Sequence, residues 1–115
     1  MREWTVHHEP TIPNFDNHDE RKLQKGQVIA IEPFASTGGG IIKEGKGSSI
    51  YSLKTERPVR DANARKVLTY IQEEYKTLPF SKRAIAKQFP LFTANTAINT
   101  LMNNLIIHEY AQLPE

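Results

Sequence analysis

Hydrophobic and polar positions repeat with two different periods along the chain, and the period changes near residue 57. In the first part, Trp4 and Val6 alternate with polar neighbours, and an apolar run extends from Val28 to Pro33. Alternation and short apolar runs of this kind are typical of β-strands. A run of three glycines then precedes a predicted hairpin, whose arms would hold residues 41–42 and 50–53.

In the second part, apolar residues recur at helical spacing, with prolines between the helical runs. The spacing predicts a helix from Asp61 to about Tyr75, then a short helix and a third helix, and finally a strand in the segment 105–113. The predicted N-caps of the three helices are Asp61, Ser81 and Thr93. Three helices followed by a strand is the order of a winged-helix unit. We therefore expect an α+β chain with a strand-rich part, 1–56, and a helical part, 57–115.

Length and composition limit the number of domains and the cellular compartment expected for this chain. Its 115 residues allow one compact domain or two small ones, and its formal net charge is +2. The absence of cysteine excludes disulfides and thiolate metal sites, and favours an intracellular protein. No run approaches the ~20 apolar residues of a membrane helix. We expect a cytoplasmic protein without membrane contact. Both ends lack a terminal element, which is typical of a piece of a larger protein.

Glu32 is the first candidate for chemistry, because it interrupts the apolar run. A lone acid on a strand most simply faces solvent, but its apolar neighbours leave little polar context, and a metal ion is the best functional alternative. His7 and His8 would point to opposite faces of a strand, so they cannot easily share one ion. One histidine could act as an acid or base, or donate to a polarised carbonyl. The simpler alternative is one packed and one exposed histidine.

The winged-helix order raises nucleic acid as a second class of partner. Residues 57–115 hold eight basic and five acidic residues, a net charge of +3, and the third helix carries no Lys or Arg. Contacts to phosphate usually dominate affinity for nucleic acid, so this charge is a weak signal. A non-catalytic module that binds nucleic acid or protein stays as the alternative function, with nucleic acid disfavoured.

Three stretches converge on one family. "VHHEPTIPNF", "AIEPFASTGGG" and "IYSLKTERPVR" resemble type II methionine aminopeptidase of the archaeal kind, and residues 64–89 resemble the helical insert of those enzymes. The resemblance covers nearly the whole chain. It implies that 1–56 supplies strands of a pita-bread catalytic domain and that 57–115 is a winged-helix-like insert.

The resemblance also implies roles for four residues. Glu32 matches a carboxylate of a dinuclear metal site, and His7 matches the histidine that contacts the scissile peptide. Val6 and Ile50 match or lie near positions that line the methionine pocket. Such an enzyme would hold two divalent ions, of Mn, Co, Fe or Zn, and remove the N-terminal methionine of nascent polypeptides.

The family's metal site needs two aspartates, one histidine and two glutamates, and only Glu32 of these five ligands is present. The chain alone is therefore expected to be inactive. The missing remainder of the enzyme stays open as a partner of this chain.

Overall fold

The computed structural model describes residues 4–115, and the chain divides into two compact units, Met1–Ala35 and Ser36–Glu115. Each unit is described by itself. The first three residues of the predicted 1–56 part lie outside the described residues. The predicted boundary at 56/57 concerns the domains of a complete enzyme and stays a prediction.

All regular elements of the described residues lie in the second unit. The helices are α1 (Ala62–Glu74), α2 (Lys82–Gln88) and α3 (Leu91–Asn103). The strands are β1 (Gly47–Leu53), β2 (Phe80–Ser81) and β3 (Ile107–Ala111). The predicted mixture of helix and strand is confirmed, as are two of the three predicted helix starts.

The first two helices begin where their capping residues predict. The carboxylate of Asp61 accepts a hydrogen bond of 2.7 Å from the Ala64 amide, and the Ser81 hydroxyl accepts one of 3.1 Å from the Ala84 amide. Each side chain satisfies an amide that has no partner within its own helix.

The predicted start of α3 is wrong. Pro90 occupies the N-cap position and Leu91 is the first helical residue, so Thr93 lies inside the first turn. The Pro90 carbonyl accepts from the Ala94 amide at 2.9 Å, which closes that turn without a capping side chain. Proline fits here because a helix start does not need its missing N–H.

The sheet is antiparallel, with β1 in the middle of the order β2-β1-β3. The predicted hairpin between residues 41–42 and 50–53 is wrong. Instead, the chain before β1 runs beside the chain after β3, since the amides of Lys43 and Gly45 donate to the carbonyls of Pro114 and Gln112. β1 therefore finds both of its partners far along the sequence, in segments that the helices place beside it.

The core lies between the helices and one face of the sheet. Tyr51 stacks on Phe80 with ring centroids 5.9 Å apart, and among the described residues no polar or charged side chain is buried. The buried side chains are Tyr51, Val59, Ala64, Val67, Leu68, Ile71, Phe80, Ile85, Ala94, Ala97, Ile98, Leu101, Ile106 and Ile107. All of them belong to the second unit, so the helical periodicity read from the sequence corresponds to a closed core.

The strands predicted in the first unit are not formed. Apart from a bridge residue at Thr5, residues 4–46 contain no strand, and the apolar run around Glu32 is exposed: Ile31 is 80% exposed and Phe34 is 89% exposed. A strand needs a partner for its backbone groups and another layer for its apolar face. The described part of this unit supplies neither.

Candidate active site

Ile50 is the one candidate site residue that a regular element holds. It lies on β1 opposite Ser81 of β2 and is partly buried. Its neighbour Tyr51 points into the core, so Ile50 lies on the opposite face of the sheet. An apolar side chain in that position can contribute to an apolar pocket on the outer face.

Val6 and His7 lie in irregular chain, and both are exposed. Val6 is 48% exposed, so its side chain is available for contact. Next to them, the His8 ring nitrogen Nδ1 lies 2.6 Å from the Glu9 carbonyl, so the backbone of the following residue holds the His8 ring. Because residues 6–8 do not form a strand, the predicted placement of His7 and His8 on opposite faces of a strand is not found.

Glu32 is exposed, and among residues 4–115 it forms no ion pair and no side-chain hydrogen bond. The Glu32 side chain therefore faces solvent, which is the simpler of the two interpretations of this acid. A carboxylate that faces water is free to bind a cation but is not aimed at one by its neighbours.

The described residues do not form a metal centre by themselves. No group of three or more His, Asp or Glu side chains that could hold an ion occurs among residues 4–115. Divalent ions in proteins take several ligands, and a single exposed carboxylate does not provide them. The residues present therefore do not fit a dinuclear site, and no chemical step can be assigned to a metal from this chain alone.

A cavity of about 580 Å³ lies in the first unit, beside the candidate His7 in sequence. Its lining includes His8, Glu9 and Arg21. Arg21 donates to both carboxylate oxygens of Asp19 and lies 3.5 Å from Glu9. These hydrogen bonds from Arg21 lower the pKa of Asp19 to about 2. In the sequence, charged residues of both signs lie close together at 16–22, and this is the signal that their side chains could pair.

Comparison with known proteins places the whole chain beside aminopeptidases. It is 36% identical over all 115 residues to a methionine aminopeptidase of Methanothermobacter thermautotrophicus, and covers 38% of that protein. It is 38% identical to a methionine aminopeptidase of Pyrococcus abyssi, again over the whole chain and 39% of the relative. Methionine aminopeptidase 2 of Sclerotinia sclerotiorum is 30% identical over 96% of the chain and 25% of the relative.

These matches define a class of hydrolases, the aminopeptidases. Within that class, the whole chain is similar to part of several methionine aminopeptidases. It spans about two fifths of the length of the archaeal relatives that it matches.

A comparison with solved structures finds a protein of similar fold. A solved structure of a thermophilic Arx1 matches with a TM-score of 0.53, over 68% of this chain and 21% of that one, at 16% identity. At this identity the likeness shows the fold alone. No protein-family model matches the chain. None of the helices in residues 4–115 has the length and apolar character to cross a membrane.

Proposed function

We propose that this chain is part of a metal-dependent methionine aminopeptidase, which removes the N-terminal methionine of nascent polypeptides. The observation that carries the proposal is the similarity of the chain, over its whole length, to archaeal methionine aminopeptidases. None of the relatives supports the alternative of a non-catalytic module that binds nucleic acid or protein.

Four residues of the chain receive roles in this proposal. Val6 and Ile50 contribute apolar surface around the methionine side chain. His7 donates a hydrogen bond to the carbonyl of the scissile peptide and so stabilises the charge that develops there. Glu32 is one ligand of a pair of divalent ions, either Mn, Co, Fe or Zn.

The ions would activate the attacking water in the complete enzyme. Glu32 cannot hold them alone, so the 115-residue chain lacks turnover by itself. The partner of this chain is then the remainder of the enzyme, and the setting is the cytoplasm, where polypeptides are synthesised.

The architecture of the complete enzyme follows from the same proposal. Residues 1–56 supply strands of the pita-bread catalytic domain, and residues 57–115 form its winged-helix-like insert. Two features support this division. The exposed apolar run Val28–Phe34 has the composition of a strand that lacks a partner layer, and α1, α2, α3 and β3 follow one another in winged-helix order.

A hybrid enzyme tests the site. Residues 1–115 replace the matching segment of the Methanothermobacter relative, so that the host supplies the other ligands. We expect the hybrid to bind divalent ions and release methionine from a Met-Ala-Ser peptide. Glu32→Ala should remove both properties. His7→Ala should lower kcat by about 10²- to 10³-fold while the metal content stays the same.

The control is Glu44→Ala, which removes an exposed carboxylate outside the proposed site. It should leave metal content and turnover unchanged. Full activity of the Glu32→Ala hybrid, with an unchanged metal content, would contradict the proposed ligand. Reading the nucleotide sequence on both sides of the frame adds an independent check, because we expect a histidine codon two positions before Met1.

A further inference from the structure

The ladder between β1 and β3 contains a bulge directly before Ile50. Gly47 pairs with Ala111 and Tyr51 pairs with Glu109, so four steps along β1 correspond to two along β3. Ser49, inside the bulge, has a φ of 60°, in the left-handed region that favours glycine. A bulge changes the direction of the side chains beside it, and here the nearest large side chain is Ile50.

Side chains rather than ladder bonds hold this bulge. The Ser49 amide donates to Oε1 of Glu109 at 2.9 Å. The Ser48 hydroxyl donates to the Tyr110 carbonyl at 2.7 Å and accepts from the Ile50 amide at 3.2 Å. The Glu109 carboxylate therefore replaces the carbonyl acceptor that the Ser49 amide loses when the register shifts.

The carboxylate of Glu109 lies in a space that the surrounding residues leave for it. A Cβ atom added to Gly47 would lie 2.5 Å from both carboxylate oxygens, so a larger residue at position 47 would displace the acid. Glu109 is also the residue directly opposite Tyr51 in the ladder between β1 and β3. Burial and the nearby Glu109 charge raise the pKa of Tyr51.

Two contacts thus fix the chain on either side of Ile50. Tyr51 is anchored in the core against Phe80, and Ser49 is anchored to Glu109. With both neighbours held, the direction of the Ile50 side chain depends on the Glu109 contact.

We infer that Glu109 is a positioning residue, whose carboxylate locks the bulge at Ser49 and thereby sets where Ile50 stands in the methionine pocket. This inference rests on the proposed function for the role of Ile50. Glu109 has no contact with substrate in this account and acts only through the backbone of β1.

NMR on the full chain tests the lock. In Glu109→Ala, we expect the Ser49 amide to exchange with solvent about tenfold faster or more, because it loses its acceptor, and the Ile50 methyl signals to move. The pKa of Tyr51 should fall towards its ordinary value. Glu109→Gln keeps an acceptor oxygen and tests the same contact with less risk to folding; it should lower the pKa of Tyr51 with a smaller change in Ser49 exchange. Glu73→Ala, on α1, is the control and should change none of these signals.

Unchanged Ser49 exchange and unchanged Ile50 signals in Glu109→Ala would overturn the inference. The hybrid enzyme provides the second readout: Glu109→Ala should raise KM for a methionine peptide by up to about tenfold, with little change in kcat. A KM equal to that of the unmutated hybrid would also overturn it. A hybrid without any turnover would count against the proposed function instead, and the NMR result on the chain would still decide whether Glu109 locks the bulge.

Discussion

The two units of this chain have the same kind of apolar residues and use them differently. In Ser36–Glu115, the helices and sheet enclose side chains such as Leu101, which is fully buried. In Met1–Ala35, side chains that are at least as large, such as Phe34, remain open to solvent. The comparison teaches that apolar character alone does not make a core. A core forms where elements can cover one another, and the described part of the first unit has no second layer.

Core substitutions give the sharpest test of this contrast. Leu101→Ala should lower the free energy of unfolding by about 3 kcal/mol, because it removes a fully buried side chain and leaves a cavity. Phe34→Ala, which removes an exposed side chain of larger size, should change it by less than about 0.5 kcal/mol. Urea unfolding followed by circular dichroism at 222 nm measures both. Equal losses in the two variants would show that Phe34 also belongs to a core.

The cap of α1 tests how strongly local sequence signals stabilise the second unit. Asp61→Ala should cost about 1 kcal/mol, because the Ala64 amide loses its acceptor at the helix start. Asp61→Asn keeps an acceptor oxygen and should retain most of the stability. Thermal unfolding of the three proteins measures the difference. A loss in the asparagine variant as large as that in the alanine variant would argue against the capping hydrogen bond.

Removal of residues 1–35 tests whether the second unit is stable by itself. We expect residues 36–115 to unfold cooperatively, with a Tm within about 4 °C of the whole chain, since all the side chains that are buried among residues 4–115 lie in this unit. The peptide 1–35 should show no cooperative transition. Calorimetry of both pieces measures this. Loss of the transition in 36–115 would mean that the first unit supplies contacts that its exposed side chains do not indicate.

The smallest effect concerns the charged pair of the first unit. The Arg21 contacts lower the pKa of Asp19 from 3.8 to about 2, so the folded state favours the ionised acid. The local stabilisation is complete above about pH 4 and is lost as the pH falls through about 2. NMR titration of the Asp19 carboxyl carbon measures this pKa, which Arg21→Gln should return towards 3.8. Substitution of Arg83, on α2, should leave the Asp19 titration unchanged.

The sequence predicted the second unit better than the first, and particular residues show why. Asp61 and Ser81 cap helices through contacts three residues away, which a local pattern can reveal. Thr93 failed as a cap because Pro90 already started the helix, and the two signals lie only three residues apart. For the site, the resemblance to a known family suggested the roles that we propose for Glu32 and His7, whereas residue spacing alone left each with a simple structural interpretation.

By itself, the sequence determined the helices of the second unit, their buried faces and the similarity of this chain to methionine aminopeptidases. These follow from local chemistry: a cap, a period of apolar residues, or a motif that relatives share. Only the tertiary structure decided that β1 pairs with β2 and β3 and that Glu109 reaches the Ser49 amide, sixty residues away in the chain. Such contacts depend on which segments the helices bring together. A pattern along one stretch of chain carries no information about the distant segment that will pair with it.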